Sequence, residues 1–136
     1  MQIHESAEDY LETILLLHLR NGQVRSIDIV NEMGYSKPSI SVAMKRLREN
    51  GYIDMDEEGF ITLNPSGKAI AERIYARHRW LTKFLVTLGV SEKTAAIDAC
   101  KMEHDLSDET FECIKAHALA GNREAAKAAE TEESGA

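Results

Sequence analysis

The sequence predicts a mainly α-helical fold interrupted by one small β-hairpin. Three features point there. Apolar residues recur at helical spacing through successive stretches, most of them opened by Ser or Pro and closed by Gly or Asn. Only two short segments, Tyr52-Ile53-Asp54-Met55 and Phe60-Ile61-Thr62-Leu63, alternate as strands do. Pro is rare, 2 in 136 residues, and hydrophobic residues reach 43%, enough for the core of one ordinary domain or two very small ones.

The first helix is expected from a Ser6 cap with Glu8 and Asp9 in its first turn. Its apolar stripe is Tyr10, Leu11, Ile14, Leu15, Leu17 and Leu19, ending at Asn21-Gly22. Asp9 and Glu12 lie one turn apart on it, and acids there ordinarily do no more than complement the helix dipole. Ser26 is the expected cap of a short second helix with Ile27, Val30 and Met33 inward, stopped by Gly34. Ser36 caps a third helix with Pro38 in its first turn, where the missing N–H costs little. Ile40, Met44 and Leu47 form its apolar line, and Gly51 ends it.

Two helices joined by a short Gly-containing turn, followed by a hairpin, have the layout of a winged helix-turn-helix. The third helix has the chemistry of the reading helix. Between Ser36 and Arg48 the charged residues are Lys37, Lys45, Arg46 and Arg48, with no acid, in a chain of net charge −7. Ser36, Lys37, Pro38, Ser39 and Ser41 suit close entry to base edges, and Lys45 and Arg46 suit phosphates. The plain alternative is a solvated amphipathic helix. The acidic net charge excludes indiscriminate nucleic-acid binding but leaves room for this local patch. The wing tip, Asp56-Glu57-Glu58-Gly59, is acidic, so it either points away from DNA or adds little affinity.

Asn64-Pro65-Ser66 opens a long helix to about Leu88, in which Tyr75 and Trp80 read as packing. Ser91 caps the next helix, and Ser107 caps a last one from Asp108 to Leu119 with Phe111, Ile114 and Ala118 inward and Cys113 as core. Residues 121–136 read as a disordered tail. The longest apolar run, Ile14 to Leu17, cannot span a bilayer, and Met1 to Asp9 is unlike a secretory signal. With two cysteines, Cys100 and Cys113, a cytoplasmic protein with free thiols is expected.

Cys100-Lys101-Met102-Glu103-His104 sets a thiol, a carboxylate and an imidazole at i, i+3 and i+4, on one face of a helix. A divalent transition metal suits such donors, with further ligands from elsewhere. The bland alternative is a Cys on the buried side with Glu and His solvated beside it.

Taken together, Asp9-Tyr10-Leu11-Glu12-Thr13-Ile14, Ser36-Lys37-Pro38-Ser39-Ile40-Ser41, Leu63-Asn64-Pro65-Ser66-Gly67-Lys68, Arg77-His78-Arg79 and Cys100 to Ser107 resemble the DtxR/MntR metal-dependent repressors. The resemblance covers about Glu5 to Leu119. It implies a winged helix-turn-helix DNA-binding domain (1–64), a helical dimerisation and metal-binding domain (65–120) and a homodimer that binds a palindromic DNA operator when metal is bound. It further implies one site from Asp9, Cys100, Glu103 and His104, and an adjacent one from Glu12, His78 and Glu103. The manganese-type pattern has a carboxylate where Cys100 stands, and the iron-type pattern has a Met where Asp9 stands. The ion is therefore expected to be Fe(II) or Mn(II), with Zn(II) or Co(II) as binders in vitro. Two other classes stand beside this one. A winged-helix sensor of oxidants would use Cys100 as a reactive thiol. A metalloenzyme is not expected, because no nucleophile or general base stands out beyond the ligands.

Overall fold

The computed structural model describes residues 5–119, and the tail expected over 121–136, with the stop at Gly121, lies outside them. Six helices and one hairpin follow in order among the described residues: α1 (Glu5–Asn21), α2 (Ser26–Met33), α3 (Lys37–Glu49), β1 (Ile53–Met55), β2 (Ile61–Leu63), α4 (Pro65–Thr87), α5 (Glu92–Asp105) and α6 (108–119). None is long and apolar enough to cross a membrane. The chain divides into two compact units inside α4, after Arg79.

In the first unit, Leu11, Ile14, Leu15 and Leu17 of α1 meet Ile29 of α2, Ile40, Met44 and Leu47 of α3, and Ile53 and Ile61 of the hairpin in one core. Gly34, at φ 75° between α2 and α3, takes the left-handed conformation that turns the chain into the third helix. Ser36 caps α3 as expected, its Oγ accepting from the Ser39 N–H at 3.2 Å. The hairpin is antiparallel, pairing Ile53 with Leu63 and Met55 with Ile61. Asp56 closes its turn, its carboxylate accepting from the N–H groups of Glu58 (3.0 Å) and Phe60 (2.8 Å). The Arg25 guanidinium lies 4.2 Å from the centre of the Phe60 ring.

The first turn of α4 is fastened to the end of α3. The Asn64 amide and the Ser66 hydroxyl both donate to the Gly51 carbonyl, at 3.0 and 3.1 Å. At Gly67 the approach is so close that a Cβ would stand 2.2 Å from the Tyr52 carbonyl oxygen, which only Gly accommodates. In the second unit, Leu81, Ala99 and Phe111 are the buried core, with Trp80, Met102 and Leu106 packed on it. Trp80 stacks on Phe84 at 5.1 Å and meets Phe111 edge-on at 5.6 Å, so its packing role holds.

Several local expectations are corrected. Ile27 is 44% exposed and Ile29 is fully buried. In an eight-residue helix carrying apolar residues at several phases, the neighbouring helices set the rotation. Leu19, at 63% exposure, lies past the end of the buried stripe of α1. Ser6 lies within α1 rather than capping it. The cap of α2 is Arg25, not Ser26: the Asp28 carboxylate reaches back to accept from the Arg25 N–H at 2.9 Å. Cys113 is exposed, not core; on α6 the deep position is Phe111.

Candidate DNA-reading helix and metal centre

Three buried anchors, Ile40, Met44 and Leu47, hold α3 against the first unit's core and leave the rest of its circumference in solvent. Ser36, Lys37, Pro38, Ser39, Ser41, Lys45 and Arg46 are all exposed. The Ser36 hydroxyl donates to the Ser39 hydroxyl at 2.8 Å, so both small polar groups are ordered where the helix begins. Helix N-termini carry unpaired N–H groups and a partial positive charge, which suits them to phosphate. Val42, outside the sequence-derived set, is 52% exposed on the same surface. Its phase relative to Ile40 and Met44 was the available signal.

The candidate ligands of the first unit lie on α1 and α4. Asp9 is half-buried, and Glu12, one turn further, is only 8% exposed. Glu8, on the same helix and equally buried, takes an ion pair from Arg73 at 3.1 Å. His78 is half-buried on α4 and follows the buried Arg77. Beside Asp9, Tyr10 meets Tyr35 edge-on at 6.2 Å, immediately before α3. Burial foremost, then Tyr35 and the Asp9 carboxylate, push the Tyr10 phenol above its ordinary value.

In the second unit, α5 inverts the bland reading of its ligand face. Cys100 is exposed, whereas Glu103 is buried and the His104 side chain is 1% exposed. Glu103 Oε1 and His104 Nε2 stand 3.4 Å apart. Two donors each about 2.1 Å from one ion at a tetrahedral angle are separated by about 3.4 Å, so this pair fits as two ligands of one transition metal. Neither donor is drawn from the exposed surface, and a buried carboxylate and imidazole need compensation for their lost hydration. The tight turn after them is fixed by Ser107, whose Oγ accepts from the Thr110 N–H at 3.1 Å and starts α6.

Comparison with known proteins matches the chain in two consecutive pieces. The family model "Iron dependent repressor, N-terminal DNA binding domain" matches residues 2–59. The model "Iron dependent repressor, metal binding and dimerisation domain" matches residues 64–119. The transcriptional regulator MntR of Salmonella typhimurium is 36% identical over 112 residues, which are 82% of this chain and 71% of that protein. The HTH-type transcriptional regulator MntR of Lysinibacillus sphaericus is 32% identical over 102 residues, 75% and 73% of the two chains. A solved manganese-dependent transcriptional repressor in complex with manganese is similar with a TM-score of 0.73 at 30% identity, covering 82% of this chain and 51% of that one. The manganese regulator SloR gives a TM-score of 0.72 at 26% identity, covering 88% and 55%. The chain thus spans about half the length of these solved structures.

Proposed function

The chain belongs to the DtxR/MntR family and is a metal-responsive repressor that binds DNA as a homodimer; from that premise we propose that Mn(II), ahead of Fe(II), is its activating ion. Its ligands are Glu103 and His104 with Asp9, and Glu12 and His78 serve an adjacent position with Glu103. The observation that carries this reading is the Glu103–His104 pair, buried and spaced as ligands of one ion, while Cys100 of the same helix stays exposed. A set of carboxylates and imidazole without thiolate favours the harder ion. The solved structures named above as manganese regulators support the same choice.

When bound, the ion supplies positive charge that offsets the clustered carboxylates. Asp9 sits on the helix whose Leu11, Ile14 and Leu15 pack in the same core as Ile40 and Met44 of α3. Glu103 and His104 sit on α5, within the matched dimerisation domain. Ligands shared between α1 and α5 make the spacing of the two reading helices depend on metal, and a palindrome requires that spacing to be about 34 Å or a multiple of it. Ser36 to Ser41 meet bases, Lys45 and Arg46 meet phosphates, and the site of action is the cytoplasm, where the DNA is. No catalytic step is assigned.

The test is operator binding by protein stripped with chelator and then given Mn(II), Fe(II), Co(II) or Zn(II) in turn under reducing, anaerobic conditions. Binding should appear with Mn(II); equal binding in chelator would end the metal-switch reading. Cys100→Ser should leave the Mn(II) response nearly unchanged, because an exposed side chain that does not hold the ion contributes little to its binding. Loss of the response would instead put the thiolate in the site and move the assignment to Fe(II).

A further inference from the structure

Single apolar residues on a surface are ordinary and need no explanation. Val42 differs by where it stands. At about 100° per residue, two residues from Ile40 and two from Met44 place it roughly opposite the buried line of α3. It is 52% exposed there. On the same face one turn before it is Pro38, and one turn after it are Lys45 and Arg46, all exposed. Side chains on a helix lean toward its N-terminus, so the Val42 methyls lie over Pro38 and the entry half of the helix. The outermost ridge of the reading helix is thus apolar in its middle, flanked by serines and cations.

In the major groove only one base edge offers an apolar group, the 5-methyl of thymine. Resting on the DNA-binding reading above, we infer that Val42 is a specificity-determining residue that packs on a thymine 5-methyl in each operator half-site. Desolvating the valine against a methyl favours thymine there. Cytosine would set the apolar side chain against its N4 donor, leaving that amino group without its water. Lys45 and Arg46, one turn on, hold the helix to the backbone without choosing a sequence. Val42 therefore contributes discrimination where the cations contribute affinity.

Selection from random DNA with Mn(II)-loaded wild-type protein supplies the operator. Each thymine of it is then replaced by deoxyuridine, which deletes only the 5-methyl. Replacement in one half-site should weaken wild-type binding roughly fourfold, and replacement in both half-sites roughly fifteenfold, the effect of about one buried methyl each. The same replacements should be neutral for Val42→Ala, a change at an exposed position that leaves the unfolding curve in place. If no thymine-to-uracil change affects the wild type, the inference is overturned without any variant. It is also overturned if Val42→Ala keeps the full methyl dependence. Should the loaded wild type select no sequence at all, the DNA-binding reading itself falls, an outcome distinct from the other two.

Discussion

Helices α3 and α5 carry the two sets of proposed working side chains on opposite kinds of face. On α3 the buried line is wholly apolar, Ile40, Met44 and Leu47, and the working residues stand in solvent. On α5 the buried line is Ala95, Ala99 and Glu103, while the large apolar Ile97 is 50% exposed. Folding and reading are separable on α3, because different residues perform them. On α5 they are not, because a residue proposed to hold the ion is also among the most buried in the chain. A carboxylate set inside α5 is what the proposed cation would compensate, and the exposed Ile97 lies within the matched metal binding and dimerisation domain.

The largest expected effect tests the α5 side. Glu103→Gln keeps the size of the side chain and removes the charge that an ion requires. Metal affinity should fall by a hundredfold or more, beyond the usual loss from an outer-shell change, and operator binding should no longer respond to Mn(II). Far-ultraviolet circular dichroism of the metal-free protein should stay unchanged. A metal-free variant that loses its helical signal would show that Glu103 holds the fold rather than the ion.

Next in size is a change that breaks the independence of α3. Gly67→Ala places a methyl against the Tyr52 carbonyl, 2.2 Å from it before any relaxation. The clash should push α4 off the Gly51 and Tyr52 backbone on which it is fastened, lowering stability by about 3 kcal/mol in urea unfolding. Operator affinity should fall with it, since the same contact seats the end of α3. Wild-type stability in this variant would mean that the first turn of α4 is free to shift.

Smaller effects belong to the exposed face of α3. Lys45→Ala or Arg46→Ala should reduce operator affinity about equally across sequences. Each should flatten the dependence of log affinity on log salt by about 2, one phosphate contact from each protomer. Thermal stability should be unmoved, because neither side chain is in the core. A sequence-selective loss would instead place that residue on a base edge.

The same contrast explains how much was legible in the sequence. The exposed face of α3 could be read directly, because small polar and basic residues without acids mark a solvent-facing surface, and Gly34 and Ser36 mark its start by backbone chemistry. The hairpin was legible from two alternating segments around a Gly turn. On α5 the spacing of Glu103 and His104 was visible, but which of the three donors faced inward was not. Composition assigns a Cys to the interior and a Glu to solvent, and α5 does the reverse. Ile27 and Ile29 failed for a related reason: in a short helix the rotation is chosen by α1 and α3, which local periodicity does not contain. The Arg25–Asp28 cap went unseen because the carboxylate reaches back to a backbone N–H whose own side chain is no capping type.

The smallest effect serves as a control on the comparison. Arg20 and Glu32 join α1 to α2 on the surface through two hydrogen bonds, at 3.1 and 3.2 Å. The hydrogen bond from Arg20 holds the Glu32 carboxyl below its ordinary value. A carboxyl with a lowered value in the folded protein stabilises fully above the ordinary value of its unfolded form, and that contribution fades as pH falls through the lowered one. Glu32→Gln should therefore have a slightly lower Tm than wild type near pH 7, a gap that closes as pH falls through the lowered value and also closes in about 1 M salt. The gap stays small because both side chains are solvated and the ion pair is screened. Both residues are exposed and outside the proposed ligand and DNA-contact sets, so the Mn(II) response of operator binding should be unaltered. A changed response would mean that the seating of α2 against α1 is coupled to metal, and reading on α3 would then be less separable from folding than its buried anchors imply.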